Sequence, residues 1–285
     1  MKNIKIVYTP DGPAVEDHIR SFQNTRLMLK ELIMARGLIW RLFARDFSAK
    51  YRQSALGIAW AVIMPIIAVS MFVGVSNSGI LNIGDVDMPY PLYALIGLSI
   101  WTLFSTGVVA CSQAIVGAGT MVAKLNFPKV ALIIAATGQS LVDFLVKIML
   151  ITILFFYYGL SPSITGILCF FLALIPLFLL VLGLGFMMSL IVVIVRDVIN
   201  ILNLTLTGLM FLTPVLYTFT GDSLLAQANY WNPFNYLVNV PRDFIVKAHT
   251  DYLYEFIFVS LLALVVFFAG WRIFYLGQTK IVERL

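Results

Sequence analysis

A run of about 20 apolar residues is what a helix needs to cross a ~30 Å hydrocarbon layer, and this chain carries six such runs, at 55–76, 91–115, 130–158, 164–195, 198–219 and 253–276. That repetition leaves one fold class open, an all-α membrane protein of six transmembrane helices. Composition agrees: 61% of residues are apolar and 12% charged, against roughly 45–50% and about 25% in soluble domains. A water-soluble body of 285 residues has no single core that could absorb so much apolar surface, so lipid must supply the rest. The fourth run is too long for one straight crossing, and Pro176 with Gly183 and Gly185 predicts a kink or a tilt there.

Charge then orients the spans. The first 54 residues are polar and contain no stretch resembling a signal-peptide core, so the N-terminus is expected to stay in the cytoplasm uncleaved. With that start, all of the 19 Lys and Arg except Lys147, Arg242 and Lys247 fall in cytoplasmic segments. The outer segments hold Asp85, Asp87, Asp222, Asp243, Asp251 and Glu255. This is the positive-inside distribution, and it puts both termini in the cytoplasm. The net charge of +5 is accounted for by orientation, so no nucleic-acid partner is expected. Cys111 and Cys169 sit inside apolar runs as packing residues and form neither a disulfide framework nor a metal site.

Ahead of the first span lies a basic amphipathic stretch, GLIWRLFARDFSAKYRQ, over 37–53. On a helix Arg41, Arg45, Ser48 and Arg52 share one face, with Ile39, Leu42, Phe43 and Phe47 opposite. Such a helix lies in the inner membrane interface with its cations toward anionic headgroups. It reads equally as a plain anchor or as a cationic platform for a phosphate-bearing substrate, because Arg pairs bidentately with phosphate. After it, Leu56-Gly57 allows a tight bend into the span, and Pro65 predicts a kink.

Other segments carry weaker signals. GAGTMVAKLNFPKV, between the second and third spans, is long enough for two helical turns and a restart at Pro128; it is either a connector or a docking helix for a cytoplasmic partner. In the third span, Asp143 and Lys147 are four apart and can pair on one face. Unpaired, each costs roughly 2.5–3.5 kcal/mol at a helix centre; a packing pair is the plainer account and an ion relay the sharper one. His18 and His249 fall in polar segments and cannot extend a relay into the membrane. The outer segment from 220 to 252 holds Tyr230-Trp231-Asn232-Pro233-Phe234, too apolar for a solvated loop, which predicts a short re-entrant helix pair. The expected division is a cytoplasmic tail over 1–36, an interface helix over 37–53, a six-span domain over 54–277 and a cytoplasmic tail over 278–285.

Taken in order, RDFSAKYRQSALGIAWAVIMP, LNFPKV, VRDVINILNLTLTGLMFLTPVLY and WNPFNYLVNVPRDFI resemble the permease subunit of type-2 ABC exporters of polysaccharide, the group that moves O-antigen, capsule or wall teichoic acid. The tail ahead of them is longer than is usual for that group. The resemblance implies two copies of the permease and two separate ATPase subunits in a bacterial inner membrane. ATP and magnesium would be bound by the ATPase, since this chain has no G-x-x-x-x-G-K-[ST] phosphate loop. Residues 37–53 would be the gate helix, with Arg41, Arg45, Lys50 and Arg52 meeting a polyprenyl-pyrophosphate headgroup and Leu56, Gly57 and Pro65 forming the bend. Gly119, Lys124, Asn126 and Phe127 would belong to a coupling helix seated in the ATPase. The chain itself would be non-catalytic.

A polysaccharide has to slide, and aromatic faces contact sugar C–H groups without directional hydrogen bonds. Candidates for such a conduit are Trp101, Phe104, Phe211, Tyr217, Phe219, Tyr230, Trp231 and Phe234, although each taken singly fits a lipid-facing belt or core packing better. Rival classes are an ABC exporter of a drug or small lipid, a secondary transporter working through Asp143 and Lys147, and a membrane enzyme. The enzyme would need clustered Asp, Glu or His at the membrane surface, which the sequence does not offer.

Overall fold

A computed structural model of the chain describes residues 7–9, 12–14, 33–52, 56–78, 86, 88–124, 127–218 and 224–281. Its membrane body is entirely helical. The only strands among the described residues are β1 (Val7–Thr9) and β2 (Gly12–Ala14), an antiparallel hairpin in the N-terminal tail. The helices are α1 (Arg36–Arg52), α2 (Ala59–Asn77), α3 (Tyr90–Gly117), α4 (Gly119–Lys124), α5 (Val130–Tyr157), α6 (Ile164–Ile194), α7 (Val198–Phe211), α8 (Leu224–Tyr230), α9 (Pro233–Lys247) and α10 (Leu253–Ile281). Five of them, α2, α3, α5, α6 and α10, are long and apolar enough to cross a bilayer, and α7 is a shorter apolar helix. The chain is a multi-pass membrane protein.

Local signals set several boundaries. Ser163 caps α6, its hydroxyl accepting from the Gly166 amide at 2.9 Å, and Asn232 caps α9, accepting from the Phe234 amide at 3.0 Å with Pro233 in the first turn. The helix α6 runs unbroken through Pro176 for 31 residues. At 1.5 Å per residue that is about 46 Å, so it must tilt or project beyond a ~30 Å core.

The centre of the bundle is α3. Leu92, Ile96, Ile100, Phe104, Val108, Cys111 and Ile115, spaced three or four apart, are all buried to 1% exposure or less. This helix is enclosed by α5 and α6, while α9 and α10 pack on α6. The α6–α10 contact is close because both helices are bare where they cross: a Cβ on Gly270 would lie 2.2 Å from the Gly183 carbonyl oxygen. Close backbone approach through small residues is how membrane helices gain dispersion without a hydrophobic drive.

Two helices stand apart from this body. Only Pro65 and Val69 of α2, and only Leu206 of α7, are buried. Both lean on α3 and leave broad apolar faces uncovered, with Met71 66% and Leu204 75% exposed.

The fifth apolar run is not one continuous span to residue 219. Its helix stops at Phe211 after 14 residues, about 21 Å, and the chain then turns through 212–217. Pro214 has no amide to donate and its ring clashes with the preceding turn, so the helix ends before it. Carbonyls of the turn that follows, at Leu212, Pro214 and Val215, are taken up by side chains of α9 and its cap.

Candidate functional site

At the end of the bundle that the charge distribution predicts to be inner, α1 keeps the amphipathic character of its sequence. Leu42 is buried, Leu38, Ile39, Phe43 and Phe47 are half-buried, and Arg41, Arg45, Ser48 and Lys50 are exposed. Its apolar face forms a second hydrophobic cluster, separate from the main core, with Ala118 and Val122 at α4 and Ala131, Leu132 and Ala135 at the start of α5; Met121 and Phe127 pack against it. The Phe43 ring fits over Gly138, where a Cβ would come within 2.5 Å of it. The amphipathic helix α1 and the short helix α4 thus share one small core.

The cations of α1 reach both neighbours. Arg45 donates through Nε to Asp46 at 2.8 Å and directs Nη1 at the Met121 thioether, 3.8 Å away, on α4. Lys50 Nζ donates to Asp143 Oδ2 on α5 at 2.7 Å, and Gln139 Nε2 donates to the other oxygen at 3.2 Å. The expected ion pair between Asp143 and Lys147 is therefore not the contact formed. An ammonium from a helix packed alongside satisfies Asp143, and Lys147 turns the other way to donate to the Thr102 hydroxyl on α3. The side chains of Arg52 and Lys124, and all of Asn126, lie outside the described residues. Gly119 opens α4 and Phe127 follows it. Next along, Lys129 donates to the Gln278 carbonyl at 2.8 Å, tying the start of α5 to the end of α10; burial holds its ammonium below the ordinary lysine range.

Between α1 and α2 comes the bend. Gly57 has φ +50, a left-handed conformation that a side chain resists, and Leu56 beside it is exposed. Pro65 is buried within α2, which runs through it from Ala59 to Asn77.

At the opposite end, which the charge distribution predicts to be outer, side chains of α9 and its cap take carbonyls of the turn that follows α7. Asn232 Nδ2 donates to Leu212 O at 3.0 Å and to the Thr213 hydroxyl at 3.1 Å. Arg242 Nη1 donates to Pro214 O at 3.1 Å and Asn239 Oδ1 at 2.7 Å, and Nη2 donates to Val215 O at 2.8 Å. Sequence placed Arg242 among the charges of an outer segment; it is in fact buried to 2% exposure, its guanidinium carbon 3.8 Å from the centre of the Tyr93 ring on α3. The signal for this was an arginine inside the apolar stretch NYLVNVPRDFIV, after a span broken by proline.

The aromatic candidates divide into two groups. Trp101 and Phe104 are 3% and 1% exposed and meet Phe234 edge-on and tilted, at ring distances of 5.6 and 4.7 Å. They pin α9 to α3 and present nothing to a passing chain. Phe211, Tyr230 and Trp231 are exposed, Trp231 at 83%, and the last two meet edge-on at 5.8 Å. Tyr217 is half-buried and donates to the Phe211 carbonyl; Phe219 lies outside the described residues.

Comparison with known proteins fits this layout. The sequence profile of the ABC-2 type transporter family matches residues 37–246. An "O-antigen export system permease protein RfbA" of Myxococcus xanthus is 31% identical over 194 residues, which cover 67% of this chain and 72% of that protein. A protein of the same name from Klebsiella pneumoniae is 21% identical over 215 residues, covering 74% of this chain and 80% of the relative.

Proposed function

The chain belongs to the ABC-2 type transporter family, and from that premise we propose that it is the non-catalytic, membrane-spanning subunit of an ATP-driven exporter of polysaccharide, O-antigen before capsule or teichoic acid. Relatives that carry the O-antigen export name support the cargo class. In this reading two copies assemble with two ATPase subunits in a bacterial inner membrane, both termini cytoplasmic, and ATP with magnesium is bound by the ATPase. The polymer arrives on a polyprenyl pyrophosphate and moves outward.

The observation that carries the reading is the shared inner core of α1 and α4. Force delivered by an ATPase to α4, around Gly119, Lys124, Asn126 and Phe127, passes through Met121 and Val122 into Leu42 and Phe43. Packed side chains transmit displacement because interiors are nearly incompressible. The interface helix then swings about Gly57 and carries with it α2, which has little packing to lose. Arg41, Arg45, Lys50 and Arg52 receive the pyrophosphate, where guanidinium forks match phosphate oxygens. The uncovered faces of α2 and α7 from two copies enclose the path, and Phe211, Tyr217, Phe219, Tyr230 and Trp231 furnish the sliding surface at its outer end.

Replacing Arg41 and Arg45 together by Glu is expected to lower surface polysaccharide at least tenfold while the subunit stays at its normal level in the membrane. Undiminished export by that variant rejects the headgroup role. Export that survives inactivation of the ATPase's phosphate loop rejects the ATP-driven scheme as a whole.

A further inference from the structure

The buried cation of α9 has no partner of opposite charge: among the described residues no carboxylate lies within ion-pair distance of Arg242. Asp243 beside it accepts instead from the Thr250 hydroxyl at 3.0 Å. A charge removed from water is retained only where its alternatives are worse, and here it is spent on backbone. The carbonyls of Pro214 and Val215 lie in the non-helical turn after α7, where no helical amide follows to bond them, and within a bilayer no water is at hand instead. Only a planar fork with several donors reaches both carbonyls and the Asn239 amide oxygen at once. The Tyr93 face covers the guanidinium from the α3 side, and the Tyr93 hydroxyl donates to Pro214 O as well, at 3.3 Å. At Gly97 a Cβ would stand 2.1 Å from Nη2, so α3 is bare where the guanidinium lies.

We propose that Arg242 is a positioning residue that bolts the broken outer end of α7 to α9, so that α7 and the outer helix pair move as one rigid block when the transport path opens. The opening at the outer face is then set by where α7 goes, with no independent swing of α8 and α9. This rests on the polysaccharide-export reading for its cargo, but the rigid block itself can be tested without any cargo.

Spin labels at Phe211 and Trp231, both exposed, report the spacing between the end of α7 and the helix pair in the transporter assembled with its ATPase in lipid nanodiscs. The wild-type distance is expected to be the same without nucleotide and with nucleotide trapped, and Arg242→Met is expected to broaden it in both states. In cells, Arg242→Met is expected to lower polysaccharide export at least tenfold while ATP hydrolysis by the purified complex stays within about twofold. Arg242→Lys, which keeps a charge and fewer donors, should recover export to within about threefold of wild type. A wild-type distance that shifts on nucleotide trapping overturns the block, and this holds even if the methionine variant fails to assemble. Normal export by Arg242→Met, or export and ATP hydrolysis lost in equal measure with no recovery by lysine, overturns the positioning role. Unchanged surface polysaccharide on deleting the whole subunit would refute the cargo assignment and leave the distance result standing.

Discussion

The inner and outer ends of this protein are assembled from opposite materials. Inside, α1 is attached through a small apolar cluster of its own, one half-exposed ion pair to Asp143 and a guanidinium–thioether contact. Outside, α9 sits in the main core, held by a fully buried arginine on backbone carbonyls and by the Trp101, Phe104 and Phe234 rings. Contacts of the first kind exchange readily with water and cost little to remake; those of the second leave buried polar groups unsatisfied when broken. In the proposed exporter this difference lets the inner helices change neighbours while the outer ones are carried along.

The largest expected effect comes from wedging the outer lock open. Gly97→Val places a branched side chain where Nη2 of Arg242 and the Val215 carbonyl already stand within 2.2 Å of a single added carbon. We expect a loss of about 3 kcal/mol, the upper end for overpacking, read as a lowered midpoint in thermal unfolding of the purified protein. A midpoint unchanged within a degree would mean that the outer end yields as easily as the inner one.

Next in size is Phe43→Ala. Full truncation of a buried Phe costs about 3–5 kcal/mol; for this half-buried ring about 2 kcal/mol is a fair expectation. The informative measurement is local. Hydrogen exchange should quicken in α1 while α9 stays protected, because the two ends have separate cores. Equal loss of protection at both ends would erase the distinction.

How far the sequence foretold these two ends follows the same division. Five of the six predicted spans were legible because a bilayer demands about 20 apolar residues whatever the neighbours are; the fifth in chain order ends early at Phe211. Legible too was α1, since its two faces are written at helical spacing within 17 residues. What escaped prediction depended on partners distant in the chain. The pairing rule for residues four apart permits an Asp143–Lys147 contact, but Lys50, 93 positions away, supplies the ammonium instead. Arg242 reads as an outer-loop charge until Tyr93 and Gly97 of α3 are laid against it. Composition likewise cannot separate an aromatic that packs, such as Phe104, from one that faces outward, such as Trp231; only the fold does.

A smaller effect is expected at the Lys50–Asp143 pair, whose side chains are 44% and 23% exposed. A double-mutant cycle with Lys50→Ala and Asp143→Asn should give a coupling below about 1 kcal/mol, weakening as salt is raised. A coupling above about 2 kcal/mol would mean that the inner end has a lock of its own, comparable to Arg242.

The smallest effect sharpens the contrast between two cations that each grip backbone. Arg242 stays charged at any pH the protein survives. Lys129, which grips the Gln278 carbonyl, does not, because burial lowers its folded-state value from the ordinary 10.5. Between that lowered value and 10.5 the unfolded chain binds more protons than the folded one, so this group makes stability rise with pH across that window. Below the window both states are protonated and the contribution is flat. Lys129→Met should lessen the upward slope across that window while leaving the pH dependence well below it unchanged. A slope of undiminished size in the variant would assign the titration to other groups and leave the inner grip as insensitive to pH as the outer one.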